Sequence, residues 1–150
     1  MKALLQRVSE ANVVVDGVIV GQIEQGVLAY IGIGHDDDLT TAKKMIDKIL
    51  SYRIFENTID FDKQGKLDWN VQQADGGLLL VSQFTLMANT DKGRRPDFGQ
   101  AMPPHQAGKL FDELVEYTKS VYPKVATGKF GANMQVTAVN DGPLNFILQV

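Results

Sequence analysis

One stretch near the start decides the fold: Ala11-Asn12-Val13-Val14-Val15-Asp16-Gly17-Val18-Ile19-Val20-Gly21-Gln22-Ile23. Runs of Val and Ile favour extended backbone, because branching at Cβ already restricts their side-chain freedom. Between the runs, Asp16-Gly17 offers the positive φ that a two-residue hairpin turn requires. Residues 11–15 and 18–23 therefore read as antiparallel neighbours. A second turn signal at Gln25-Gly26 leads into residues 27–33, which extends the pair to a three-stranded meander.

Downstream, the period changes. Ala42, Met45, Ile46, Ile49, Leu50 and Arg53 recur at three- and four-residue steps, the face of an amphipathic helix opening near Leu39. Asp36-Asp37-Asp38 precede it and are explained by capping and by the helix dipole. Residues 77–85 form a short apolar run after Gly76-Gly77, a buried strand. Residues 87–104 are irregular and hold three of the five prolines, Pro96, Pro103 and Pro104. Pro104 suits the first turn of a second helix. Its buried face comprises Ala107, Leu110, Phe111, Leu114, Val115 and Val121, and Tyr122-Pro123 ends it. Residues 125–127, 134–139 and 144–150 close the chain as strands, with a turn at Asn140-Asp141-Gly142-Pro143. The expectation is one α+β domain over residues 1–150, a barrel-like core of mainly antiparallel sheets with two packed α-helices.

Composition narrows the function. The 150 residues are 44% hydrophobic and 22% charged, ordinary for a globular protein, with a net charge of −3. That balance argues against a general nucleic-acid binder, so any RNA contact must be local. Lys92, Arg94 and Arg95 form the best basic cluster. No apolar run approaches the ~20 residues of a membrane span, and residues 1–7 have no signal-peptide pattern. With no cysteine, disulfides, thiolate nucleophiles and cysteine-ligated zinc are all excluded. A cytoplasmic location fits.

Several chemical motifs fail on inspection. Asp60, Asp62 and Gly65 imitate a calcium loop, but Val71 stands where its bidentate Glu belongs. Gly32-Ile33-Gly34 follows a strand, but Asp37 replaces the third glycine of a dinucleotide fingerprint. His35 and His105 lie in no nucleophile motif, and no metal or cofactor is expected. Two features remain. Ser82-Gln83-Phe84-Thr85-Leu86 carries hydroxyls and an amide out of an apolar strand; it is either a strand end satisfying nearby backbone or a polar pocket floor with main-chain donors for an oxyanion. Gly142-Pro143 must mark an edge, a turn or a kink, since proline cannot donate to a sheet ladder.

Along nearly its whole length the sequence resembles the D-aminoacyl-tRNA deacylase family. The matching stretches are Leu5-Gln6-Arg7-Val8, Tyr52-Arg53-Ile54-Phe55, Asn70-Val71-Gln72-Gln73, Ser82-Gln83-Phe84-Thr85-Leu86 and Arg95-Pro96-Asp97-Phe98. They continue with Thr127-Gly128-Lys129-Phe130, Met134-Gln135-Val136 and Asn140-Asp141-Gly142-Pro143. The order and spacing of these pieces make the match specific.

The resemblance implies a homodimer acting on the acceptor end of aminoacyl-tRNA, with active sites at the subunit interface. Gly142 and Pro143, joined by a cis peptide, would project into the partner's pocket and reject L-residues. Arg7 would brace them and Met134 would shape the pocket. Glycine has no side chain to exclude, so mischarged Gly-tRNA such as Gly-tRNA(Ala) is also an expected substrate. Gln83 and Phe84 would offer main-chain donors, with Ser82 and Thr85 lining the site. Two mechanisms stay open: assistance by the ribose hydroxyl of the terminal adenosine, or Thr85 as a nucleophile. Leu144-Asn145 depart from the family's usual Val-Thr after Gly-Pro. The competing reading from another class is a non-catalytic module that binds the tRNA acceptor end.

Overall fold

The structure, a computed structural model, describes residues 1–91 and 93–150. Strands β1 (Lys2–Val15), β2 (Val18–Ile23) and β3 (Gly26–Gly32) form the expected antiparallel meander. Asp16 and Gly17 both have positive φ, 51° and 79°, as the tight turn demands. Helix α1 (Leu39–Ser51) follows, then the small hairpin β4 (Phe55–Glu56) and β5 (Leu67–Trp69), then β6 (Gly77–Ser82). Helix α2 (Pro104–Val121), β7 (Val125–Thr127) and β8 (Gln135–Gln149) complete the chain.

The main sheet runs β2-β1-β3-β6-β7, with β8 also paired to β1. Its β3–β6 and β6–β7 pairings are parallel and the rest antiparallel. The sheet curls until β2 meets β7, where Gly21 lies so close to the Thr127 carbonyl that a methyl group has no room. The result is an α+β fold around a nearly closed barrel.

Two cores follow from strand alternation. On the helix side, Leu5, Ala29, Ile31, Leu78 and Leu80 pack against Met45, Ile46, Ile49, Phe111 and Leu114. Inside the barrel, Val8, Val13, Leu28, Leu79 and Val81 form the second cluster. β6 is buried on both faces, which is why its sequence is a continuous apolar run rather than an alternation. Along β1, Ala3 and Leu5 face the helices, yet Ala11 and Val13 face the barrel. A register shift against β8 between Val8 and Glu10 inserts the one residue that turns the strand over.

Asp38 caps α1. The Thr41 N–H and hydroxyl donate to its carboxylate at 2.7 and 2.9 Å, holding that carboxyl below its ordinary range. Four expectations need correcting. β1 begins at Lys2 rather than near residue 11, since the bulge hides its alternation from a reading of period. Arg53 lies beyond α1 with an exposed side chain, because the helix ends at Ser51. On α2, Val121 is 44% exposed at the final turn, and Thr118 is buried in its stead, its hydroxyl donating to the Leu114 carbonyl at 2.7 Å. Finally, Asn140-Asp141-Gly142-Pro143 is not a turn between two strands. β8 continues through it on the sheet edge, where a missing N–H costs no ladder bond.

Candidate functional site

A cavity of about 690 Å³ opens at the ends of β3 and β6, within the ordinary size range for small-molecule sites. Ser82, Gln83 and Phe84 form its polar floor. β6 ends at Ser82, and the chain tightens into a 3-10 turn over Phe84–Met87. The Gln83 N–H donates to the Ile31 carbonyl at 2.8 Å, which welds the floor to β3. Within the turn, the Leu86 N–H returns to the Gln83 carbonyl at 3.3 Å. A 3-10 turn leaves its first N–H groups without partners of its own, so the Phe84 and Thr85 N–H groups are free of helical bonds.

The far wall comes from the irregular segment and the start of α2: Phe98, Ala101, Met102, Pro103, Pro104 and Ala107. Two main-chain bonds strap it to the end of β3: His35 N–H to the Gln100 carbonyl at 3.2 Å, and Met102 N–H to the Ile33 carbonyl at 3.0 Å. The Phe84 and Phe98 rings meet edge to face with centroids 5.0 Å apart. Phe130, Ala132 and Met134 close the third side. Gly128 makes room for Met134, since a Cβ there stands only 2.7 Å from the thioether sulfur.

Among the described residues lining this cavity, none is ionisable. His35 and His105 are both exposed and outside the wall. Thr85 lies just past the wall, its hydroxyl accepting from Gln83 Nε2 at 2.5 Å. A carboxamide is no base at neutral pH, so this partner leaves Thr85 without a proton acceptor.

Of the residues singled out from sequence, the structure gathers Ser82, Gln83, Phe84 and Met134 in the wall, with Thr85 adjoining. It does not bring Arg7, Gly142 and Pro143 into that wall. Those three form a second constellation on the β1–β8 edge. The ladder passes from Val8–Asn140 to Gln6–Asn145, so residues 141–144 bow out opposite Arg7 alone. The Gly142–Pro143 peptide bond is cis, and Gly142 has a φ of +115°. Arg7 is buried, its Nη1 donating to the Ile54 carbonyl at 3.0 Å. Its Nε lies 2.9 Å from Asp141 Oδ2, in ion contact but out of line for a hydrogen bond. Arg94 and Arg95 are exposed on a loop closed by the Asn89–Asp97 bridge. Lys92 lies outside the described residues. Phe98, Met102 and Phe130 escaped the motif reading, although Arg95-Pro96-Asp97-Phe98 and Thr127-Gly128-Lys129-Phe130 were matching stretches and offered the signal.

Comparison with known proteins identifies the family. The profile of the family described as D-Tyr-tRNA(Tyr) deacylase matches residues 4–149. The chain is 68% identical to a D-aminoacyl-tRNA deacylase of Psychrobacter arcticus over 150 residues, all of this chain and 99% of that protein. It is 59% identical to the D-aminoacyl-tRNA deacylase of Acinetobacter baylyi with the same coverage. A solved structure described as c-Myc DNA Unwinding Element Binding Protein superposes with a TM-score of 0.92 at 37% identity, covering 100% of this chain and 99% of the other. Another, described as a probable eukaryotic D-amino acid tRNA deacylase, shares the fold with a TM-score of 0.84 at 16% identity, over 99% and 98% of the two chains. With the profile spanning nearly the whole chain and these relatives matched end to end, the chain belongs to the D-Tyr-tRNA(Tyr) deacylase family.

Proposed function

We propose that this protein hydrolyses the ester linking a D-amino acid, or glycine, to the 3′ end of tRNA, and spares L-aminoacyl esters. The observation that carries the reading is the cavity: a polar strand end at the floor of an apolar chamber whose described lining holds no ionisable side chain. An enzyme without an acid–base pair needs a substrate that helps to position or activate the attacking water. An aminoacyl ester of tRNA does, because the neighbouring ribose hydroxyl sits beside the scissile bond. The protein then contributes position and main-chain N–H groups to the developing oxyanion, worth roughly 3–4 kcal/mol per donor. Since the Gln83 N–H is committed to Ile31, the Phe84 N–H takes that role, with Thr85 beside it. Ser82 and Met134 shape the pocket.

Stereochemical choice is assigned to Gly142 and Pro143 acting across a homodimer. β8 supports that assembly. Among the described residues it pairs only with β1, and it exposes Val139 (49%) and Ile147 (75%). An unpaired apolar edge of this length invites a second copy. Arg7 holds the base of the excursion. Arg94 and Arg95, with Lys92, contact acceptor-stem phosphates, and their replacement flattens the salt dependence of tRNA binding. Both the single domain over residues 1–150 and a cytoplasmic setting belong to this reading.

The test is hydrolysis of D-Tyr-tRNA, L-Tyr-tRNA and Gly-tRNA by the purified protein. Cleavage of the D and glycyl esters with the L ester spared is the expected result. Binding of all three without turnover replaces this reading by that of a non-catalytic acceptor-end module.

A further inference from the structure

We propose that Asn140 is a positioning residue for the Gly142–Pro143 excursion, so that discrimination between D- and L-substrates depends on its side-chain N–H; the inference rests on the deacylase reading above. Residues 141–144 stand opposite Arg7 alone. Ladder bonds are missing there on both strands, and unpaired backbone groups must find other partners. Asn140 supplies a donor to two of the carbonyls. Its Nδ2 donates to the Arg7 carbonyl across the ladder at 2.8 Å and lies 3.4 Å from the Leu144 carbonyl. One NH2 group thus ties the opposite strand to the far end of the excursion. Both acceptors are carbonyl oxygens, so the amide orientation follows from chemistry.

The other tethers lie nearer to solvent. Arg7 and Asp141 meet in an ion contact whose carboxylate side chain is 53% exposed, where solvent screens the attraction. The Gln6 Nε2 to Asn145 Oδ1 bond, at 3.0 Å, is also exposed. Asn140 is partly buried and sits at the neck, where a small loosening moves the tip most. A filter that works by backbone exclusion depends on placement, and a shift near 1 Å at such a site costs about a hundredfold.

Single-turnover deacylation of D-Tyr-tRNA and L-Tyr-tRNA by the full-length wild type, Asn140→Asp, Asn140→Ala and Asn140→His tests this. Aspartate keeps the shape and removes the donor; histidine restores a ring N–H at similar reach. Asn140→Asp is expected to lower the D-to-L rate ratio by at least about tenfold, chiefly through faster L cleavage, with Asn140→His within about threefold of wild type. Asn140→Ala removes the donor without adding charge, and its ratio decides should the aspartate variant not fold. An unchanged ratio, or equal loss on both substrates, overturns the proposal, since a merely structural role lowers both together. A wild type that fails to discriminate overturns the deacylase reading as well, whereas discrimination in the wild type with unmoved variants overturns this inference alone.

Discussion

Replacing Gly142 by alanine perturbs the excursion without entering either core. The φ of +115° at this position costs a residue with a side chain about 1–3 kcal/mol. The new methyl also meets Leu144 Cγ at 2.9 Å, the Leu144 nitrogen at 3.1 Å and Arg7 Nη2 at 3.3 Å. Ordinary contact needs about 3.5–4.0 Å, so the backbone of the tip moves by roughly half an ångström or more. A chain of 150 residues has a total stability of roughly 7–22 kcal/mol, so the fold survives. Each kcal/mol lowers Tm by about 2–4 °C at this size, which gives a fall of about 2–12 °C. The functional loss is larger, because misplacement on this scale costs about ten- to a hundredfold at a positioned group. The assay compares D-Tyr-tRNA and L-Tyr-tRNA deacylation well below the variant's Tm, with circular dichroism confirming the fold. The D-to-L ratio is expected to shrink by that factor. Wild-type selectivity in a folded Gly142→Ala protein refutes the reasoning.

Thr85→Ala is expected to keep most D-Tyr-tRNA hydrolysis, and the wild type to trap no acyl-enzyme on Thr85, since among the described residues its hydroxyl is bonded only to the Gln83 carboxamide, which is no base; loss beyond about a thousandfold points to a nucleophile instead. The pH dependence of kcat/KM should be unaffected when His35 and His105 are both replaced by alanine. An inflection that vanishes in the double variant contradicts a site without side-chain acid–base catalysis. Leu114→Ala empties a fully buried position between α2 and the sheet. It should cost about 2–5 kcal/mol, read from denaturant unfolding, with activity per folded molecule unchanged. Asp38, whose carboxyl is held low by Thr41, favours the fold above its unfolded value near pH 4, and loses that effect as pH falls through the lower folded value. In Asp38→Asn the acid limb of the stability curve should therefore flatten below about pH 4; an unaltered limb excludes the cap as its source.

Local signals carried well from sequence to structure. Asp16-Gly17 closed its hairpin because the turn chemistry lies within two residues. The buried faces of α1 and most of α2 followed the three- and four-residue period. What escaped was non-local or bent. The first half of β1 was missed because the bulge between Val8 and Glu10 breaks alternation and a buried Arg7 interrupts the apolar set. Pro143 suggested that a strand had ended, although an edge strand absorbs such a residue by bowing out. The floor of the cavity was legible in Ser82-Gln83-Phe84 as one continuous segment. Its far wall was not, since Phe98 and Met102 reach the site through bonds to β3 that no spacing in the chain announces.

The strap across the cavity has a consequence for which substrates fit. The wall is secured by two single bonds, from the His35 amide to exposed Gln100 and from the Met102 amide to Ile33, whereas the Gln83 amide at the end of β6 is held to β3. Local opening is cheapest where few buried contacts are lost. In deuterium, the wall should exchange at low free energy and the floor near the global value. On the proposed reading, the chamber widens for a tyrosyl or a smaller side chain while the amides facing the ester stay fixed, so breadth in side-chain size is set apart from the handedness assigned to Gly142 and Pro143.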